Sequence, residues 1–441
     1  MGIIALKFGG SSLADANQFK KVRDIINANE KRKFIVVSAP GKRFSDDIKV
    51  TDLLINCFEL AREKKDFDEP FYAIQQRYQG IINELGLDFS LKADFDYIKL
   101  SLLKHAGKDY IASRGEYLNG KIMAEFLNVP FIDAAEGVFF DEDGSFNPER
   151  TNKAMHALLS GVEMAVVPGF YGSLPNGTIK TFSRGGSDIT GAIVARAVKA
   201  EVYENWTDVS GMLMADPSIV ENPKPIDEIT YRELRELSYM GAKVLHEDAI
   251  FPVRVAGIPI NIKNTNRPQD AGTMIVKESH KTKIDTVITG VAGKKGFTSI
   301  YVEKDMMNLE VGFGKRVLQV LENHKIGFEH LPSGIDTMSI VVDSESIKDL
   351  RPTIEAEIYK LVDADKVEFY DDLALIAVVG RGMVRTEGTA CRVFSALANS
   401  HINIRMIDQG SSELNIIIGV HDSDFENAIR AIYNMFVLVQ L

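Results

Sequence analysis

The chain has 441 residues, enough for two or three domains, and its hydrophobic content of 45% and charged content of 26% describe an ordinary globular protein. A formal net charge of -11 weighs against a nucleic-acid-binding surface, while leaving room for a locally positive pocket. Cys57 and Cys391 are the only cysteines, so there is no disulfide framework, and no apolar run nears the ~18 residues that span a bilayer; the expectation is a cytoplasmic protein without a membrane anchor.

The chain is expected to open directly on a strand, Ile3–Phe8, begun by the apolar run Ile3-Ile4-Ala5-Leu6, with no basic-then-apolar leader. Further strands are expected at Phe34–Ser38, Val129–Ile132, Met164–Val167, Glu201–Glu204 and Ile258–Ile262, whose continuous Val/Ile/Phe character suits a sheet covered on both faces. Helical patterns lie between them near 15–29, 52–65, 111–127, 187–199 and 231–240, with Asp15 placed to cap the first. Alternating strands and helices over the first ~285 residues predict a three-layer α/β/α sandwich.

Two loops of this sandwich carry chemistry. Lys7-Phe8-Gly9-Gly10-Ser11-Ser12 and Ser183-Arg184-Gly185-Gly186-Ser187-Asp188 each join a glycine pair to a charged residue and hydroxyls, where a strand hands over to a helix. Glycine lets backbone N–H groups approach an anion, and a helix N-terminus attracts negative charge. One loop therefore suits phosphates and the other a second anionic reactant, the layout of a phosphoryl-transfer site, which needs positive charge and alignment more than acid–base groups. No Gly-x-x-x-x-Gly-Lys-Ser/Thr loop and no protein-kinase signature occurs, the histidines show no metal-ligand spacing, and His246 reads as structural.

Residues 276–290 read as a polar linker, after which the chain repeats itself. Arg316-Val317 and Arg392-Val393 stand 392 − 316 = 76 positions apart, and the same offset pairs Ile300 with Ile376, Met307 with Met383, Gly312 with Gly388, Leu321 with Leu397 and Gly334 with Gly410. One register held through strand, turn, helix and strand indicates a duplicated unit, and its pattern fits a ferredoxin-like βαββαβ module. The open sheet edge of such a module predicts that two copies pair side by side.

These motifs together resemble the aspartokinases of the amino-acid-kinase superfamily along almost the whole chain. The resemblance rests on Lys7–Ser12, Val50-Thr51-Asp52-Leu53-Leu54, Ser113-Arg114-Gly115-Glu116, Gly169-Phe170, Arg184–Asp188, Trp206-Thr207-Asp208-Val209 and Gly241-Ala242-Lys243-Val244-Leu245-His246, in that order. It implies a catalytic amino-acid-kinase domain over 1–285 and two ferredoxin-like ACT regulatory domains over 290–369 and 370–441. The implied reaction moves the γ-phosphoryl group of ATP, with Mg2+, to the β-carboxylate of L-aspartate.

Lys7, Asp188 and Lys243 would be catalytic: Lys7 stabilises the transferring group, Asp188 orients Lys7, and Lys243 lies near the phosphates. Gly9, Gly10, Ser11, Thr207 and Asp208 join Lys7 and Lys243 in binding ATP, the Gly9 and Gly10 amides donating hydrogen bonds. Arg184 grips a substrate carboxylate, Glu116 accepts the substrate ammonium, and Thr51, Phe170 and Ser187 complete the pocket. Leu213 and Ser218 replace a tyrosine and an arginine common in the family near the nucleotide; Ser11 and Glu247 are milder departures.

The tandem repeats imply feedback inhibition by an amino acid, lysine favoured and threonine its rival, with Met307, Phe313, Phe328, Glu329 and Ser333 as effector contacts and a homodimer or dimer of dimers formed through the ACT domains. A chain ending near residue 285 is then expected to lose effector sensitivity. Two other readings stay open: the same fold acting on glutamate, acetylglutamate or carbamate, and a non-catalytic amino-acid sensor.

Overall fold

A computed structural model describes residues 2–438 apart from residue 184, residues 243–244, 246–249 and 280–285, and residue 385. Arg184, Lys243, His246 and Glu247, singled out above, therefore lie outside the described residues. The chain divides into two compact units. The first takes Met1–Met212, Pro225–Tyr231 and Lys243–Ser279; the second takes Leu213–Lys224, Arg232–Ala242 and His280–Leu441.

The first unit is built on strands β1 (Ile4–Phe8), β2 (Arg32–Val37), β3 (Ala165–Pro168), β4 (Tyr171–Ser173), β5 (Ile179–Thr181), β6 (Val202–Thr207), the two-residue strands β7 (Met212–Leu213) and β8 (Pro225–Ile226), β9 (Glu228–Thr230), β10 (Ile260–Asn264) and β11 (Thr273–Val276). Among the described residues, seven of these form one sheet in the order β3-β2-β1-β6-β10-β11-β9. The strands from β3 to β10 run parallel, so the carboxyl ends at Pro168, Val37, Phe8, Thr207 and Asn264 share one edge.

Helices α1 (Ala16–Asn27), α2 (Val50–Arg62), α3 (Asp68–Leu85), α4 (Lys92–Leu103), α5 (Lys108–Leu127), α6 (Pro148–Leu159), α7 (Gly186–Ala197), α8 (Tyr231–Tyr239) and α9 (Phe251–Ala256) follow in chain order, all in the first unit except α8, which belongs to the second from Arg232 on. Alternation along β1 separates the layers. Ile4, Leu6 and Phe8 share a core with Phe19 of α1, Leu54 of α2, Ile74 of α3 and Leu118 of α5, whereas Lys7 points to the other face, where α7 lies. The three-layer sandwich is thus present, and Asp15 caps α1 by accepting the Gln18 amide at 2.9 Å.

The expected strand Val129–Ile132 is reduced to one bridge, Phe131 with Val166. Pro130 has no N–H to give a ladder, so pairing cannot propagate through it. No helix among the described residues is long and apolar enough to cross a membrane.

In the second unit, strands β12 (Gly290–Glu303), β13 (Thr337–Asp343), β14 (Lys366–Val379), β15 (Met406–Asp408) and β16 (Asn415–His421) form one sheet in the order β13-β12-β14-β16-β15. Helices α10 (Phe313–Asn323), α11 (Ser344–Ile347), α12 (Arg351–Val362), α13 (Thr389–Asn399) and α14 (Phe425–Val437) accompany it. The repeat is visible in the starts of β12 and β14 (366 − 290 = 76) and of α10 and α13 (389 − 313 = 76).

The repeats exchange material. Phe297–Glu303 pairs with β13 on one side and Lys366–Leu373 on the other, but Gly290–Lys294 pairs with Leu375–Val379, the half of β14 that also pairs with β16. The stretch expected as the first repeat, 290–369, thus opens with five residues that lie in the sheet of the second. Gly293 also lets α14 close on this strand: a Cβ there would fall 2.6 Å from the Phe425 ring. Glu233 of α8 is buried in this unit and accepts hydrogen bonds from Thr289 Oγ1 at 2.5 Å and Arg381 Nη1 at 3.0 Å. A segment lying between the Trp206–Val209 and Gly241–His246 stretches of the sequence is therefore anchored by C-terminal residues.

Candidate active site

The carboxyl edge of the parallel sheet gathers most of the described sequence-selected residues. Lys7, 7% exposed at the end of β1, extends across to α7, where its Nζ lies 2.5 Å from Asp188 Oδ1. Asn205 of β6 donates from Nδ2 to the same oxygen at 2.9 Å, so two strands and a helix fix one carboxylate. Sequence inspection missed Asn205. Its signal was strand alternation, since Asn205 and Thr207 share the face of β6 opposite Trp206.

The glycine loop departs from the expected geometry. After β1 the chain enters a single 3-10 turn, Gly10–Leu13, and α1 begins only at Ala16. The Gly9 N–H donates to the Trp206 carbonyl at 2.9 Å, tying β1 to β6, and so is not a donor for an anion. The amides of Gly10 and Ser11 open the turn and have no intra-helical acceptor. A side chain at Gly10 is excluded by the β2–α2 loop, because a Cβ would lie 2.9 Å from the Ala39 carbonyl oxygen. From the other side, a Cβ on Gly41 would fall 2.5 Å from the Gly10 carbonyl carbon. Gly41→Ala is expected to push this loop off Gly10 and lower kcat/KM by about 100-fold, the order seen when one oriented donor of a charge-stabilising site is lost. Steady-state kinetics, with circular dichroism as the folding control, checks this.

Beside this cradle stands Glu116, 5% exposed on α5, with the Ala39 amide, Arg114 and Lys7 near enough to favour its ionised form. Burial pushes its carboxyl up to about 8, and its Oε2 has no hydrogen-bond partner. A Cβ placed on neighbouring Gly115 would sit 2.8 Å from Ala39 Cβ and 3.8 Å from Thr51 Oγ1, so α5, the β2–α2 loop and the start of α2 meet here.

Phe170 and Ser187 meet through glycines: a Cβ on Gly169 would strike Ser187, and one on Gly186 would strike Phe170. Phe170 is held at φ 80°, a conformation costing about 1–3 kcal/mol for a bulky residue. Its amide is fixed by Thr190 Oγ1 at 3.1 Å and its carbonyl by the Phe182 amide at 3.0 Å.

Across the edge, Thr207 Oγ1 lies 3.2 Å from Asp208 Oδ1, and Asn264 Nδ2 donates to the Asp208 carbonyl at 3.2 Å. Below them Ser12 and Thr265 share a buried hydroxyl contact at 2.7 Å. Among the described residues no group of three or more His, Cys, Asp or Glu side chains is placed to hold a metal ion.

The residues singled out as effector contacts divide. Met307 and Phe313 are buried in the core of the first repeat with Ile300, Val302 and Ile340, so apolar packing already occupies them. Phe328 is 46% exposed, Ser333 is exposed and makes a single bridge to Met338, and the Glu329 amide bonds the Val341 carbonyl at 2.8 Å.

Comparison with known proteins matches residues 2–264 to the amino acid kinase family and residues 376–436 to the ACT domain. Aspartokinase 3 of Bacillus subtilis is 40% identical, covering 98% of both chains. The lysine-sensitive aspartokinase 3 of Escherichia coli is 26% identical over 98% of this chain and 99% of its own. Among solved structures, Clostridium acetobutylicum aspartate kinase superimposes with TM-score 0.93 at 52% identity, covering 98% of this chain and 100% of that one. The E. coli aspartokinase III complex with aspartate and ADP gives TM-score 0.76 at 25% identity, covering 98% and 99%.

Proposed function

The chain belongs to the aspartokinases of the amino acid kinase family, and from that premise we propose that it phosphorylates the β-carboxylate of L-aspartate with ATP, giving 4-phospho-L-aspartate, under feedback control by an amino acid held at its ACT domains. The observation that carries the reading is the pairing of buried Lys7 with half-buried Asp188 at 2.5 Å, set at the sheet edge beside a carboxylate with an unpartnered oxygen.

The nucleophile is itself a carboxylate, ionised at neutral pH with a pKa near ~3.9, so no general base is needed. Lys7 places positive charge against the transferring phosphoryl group. Asp188, held by Asn205, keeps the ammonium from swinging to solvent, and the Gly10 and Ser11 amides face the phosphates. Glu116 receives the substrate ammonium, while Thr51, Phe170 and Ser187 wall the pocket. Arg184 would grip the α-carboxylate by its planar fork and Lys243 would approach the phosphates. Thr207 and Asp208 lie where the nucleotide would run. Mg2+ would arrive on the nucleotide's phosphate oxygens and offset their charge. Glu116 favours a substrate with a free ammonium over an N-acylated one, whose amide is uncharged.

Lysine is the first effector to test, because the E. coli relative is described as lysine-sensitive; threonine is the second. Phe328, Glu329 and Ser333 are the accessible candidates, and the product would enter lysine and threonine biosynthesis. The effector must bind the less active arrangement more tightly for any coupling to arise. Pairing of ACT sheets between copies would give a homodimer, or a dimer of dimers. The test is ATP-dependent acyl phosphate trapped with hydroxylamine, using L-aspartate, L-glutamate and N-acetyl-L-glutamate with and without millimolar lysine or threonine. Product from aspartate alone, suppressed by one added amino acid, is expected. Product only from another acid would overturn the substrate, and equal activity with and without both amino acids would overturn the control.

A further inference from the structure

The geometry points to Arg77, a residue of α3 outside every motif discussed above, as a positioning residue that latches the β2–α2 loop in its substrate-receiving shape. This inference rests on the reading that Gly10 and Glu116 face the reactants.

Loop residues 38–41 support both halves of the site at once. The Gly41 N–H donates to the Gly10 carbonyl at 2.8 Å, the Ser38 carbonyl accepts Asn119 Nδ2 at 2.7 Å, and Ala39 packs against Gly115, the neighbour of Glu116, where its amide favours the ionised carboxyl. The rest of the loop has little packing to hold it: Phe44 and Ile48 are 59% and 53% exposed.

Arg77 supplies the missing constraint. It is 8% exposed; its Nη1 lies 2.6 Å from Asp47 Oδ2, and its Nη2 donates to the Gly41 carbonyl. One planar guanidinium therefore ties the start of the loop to a point six residues further on. Asp47 is also gripped by Arg43, from Nε at 2.8 Å and from the backbone N–H at 3.0 Å, which closes the loop on itself. The hydrogen bonds of Arg43 and Arg77 hold the Asp47 carboxyl well below the usual carboxylate range, so the latch stays charged throughout the neutral range. A cavity of about 480 Å³ borders the latch, lined by Arg43, Asp47, Arg77 and Glu84 among others, so no packed wall would hold the loop if the fork were lost.

A lysine cannot replace this fork. Its ammonium keeps the charge but lacks the rigid, planar pair of donors that reach a carbonyl and a carboxylate together. Arg77→Lys and Asp47→Asn are each expected to raise KM for aspartate and for ATP about tenfold with kcat within threefold, because the loop supports both Glu116 and Gly10 and uniform binding is what is lost. The double variant is expected to be no worse than either single one, since both break one device.

The experiment combines these kinetics with hydrogen exchange of segment 38–49 in the full-length protein and with the melting temperature of each variant. Faster exchange in that segment, together with the KM rise, supports the latch. Unchanged exchange and unchanged KM in Arg77→Lys would overturn it, as would a lowered melting temperature with KM untouched, the signature of a merely structural ion pair. If the wild-type protein makes no acyl phosphate from aspartate, the functional reading fails, and the exchange comparison still decides whether the latch exists.

Discussion

Lys7→Met is expected to lower kcat by about 1,000-fold or more, with the protein still folded. Lys7 is nearly buried at the end of a central strand, and Asp188 holds its ammonium at 2.5 Å. A unit charge ~4 Å from a phosphoryl oxygen interacts by about 4 kcal/mol at an effective dielectric of ~20, and about 4 kcal/mol of barrier is a factor near 1,000. Methionine keeps an unbranched apolar stem close to lysine's length and removes the ammonium with its charge and its three donors. The variant leaves the Asp188 carboxylate with Asn205 as its hydrogen-bond donor, so a drop in melting temperature is expected beside the kinetic loss. Hydroxamate formation at saturating aspartate and ATP measures kcat; turnover equal to wild type would remove Lys7 from phosphoryl stabilisation.

Glu116 yields the second large effect, and its sign follows from burial. With its carboxyl pushed up to about 8 by burial and Oε2 unpartnered, Glu116 is mostly the neutral acid at pH 7. An incoming ammonium needs the ionised form, so KM for aspartate should fall about tenfold for each pH unit raised from 6 toward 8, then level off. Glu116→Gln should raise KM by about 100-fold at pH 8 and flatten that profile.

Stability provides a second readout without substrate. Between its ordinary value of 4.5 and about 8, this carboxyl carries a proton in the folded chain that the unfolded chain has lost. Folding therefore weakens as pH rises through that window, with a ceiling of about 5 kcal/mol at about 1.4 kcal/mol per tenfold change. The Gln variant has no such proton, so its melting temperature should exceed that of wild type by a margin that grows from pH 5 to pH 8. A pH-independent margin would mean that Glu116 is already ionised in the folded protein across that range.

The sandwich was legible because strands buried on both faces leave continuous Val/Ile runs, as in Phe34–Val37 and Ala165–Val167. The duplication was legible because one offset survived from β12 to β16. Other features depend on three-dimensional neighbours. Nothing local marks Gly9 as the residue whose amide joins β6, or Met307 and Phe313 as core. The elevated Glu116 carboxyl is a product of burial, which no short motif encodes. Arg77 lay in a helical stretch, Asp68–Leu85, that was not anticipated at all; Phe71, Ile74, Tyr78 and Ile81 carry its buried stripe at helical spacing, which is the signal that could have found it.

The anchoring of Leu213–Lys224 and Arg232–Ala242 among C-terminal residues bears on how this protein can be recombined. The chain passes between its two units after Met212, Lys224, Tyr231, Ala242 and Ser279, so neither half is a contiguous cassette. A cut near residue 285 would strand Glu233 without Thr289 and Arg381, and would confound lost regulation with damage to a segment lying between Thr207-Asp208 and Lys243. A chimaera that exchanges only the tail would inherit the same mismatch. Grafting foreign effector control onto this enzyme means transplanting those two internal segments along with the tail, and a lineage that changed its regulator by domain shuffling would have had to move all three pieces together.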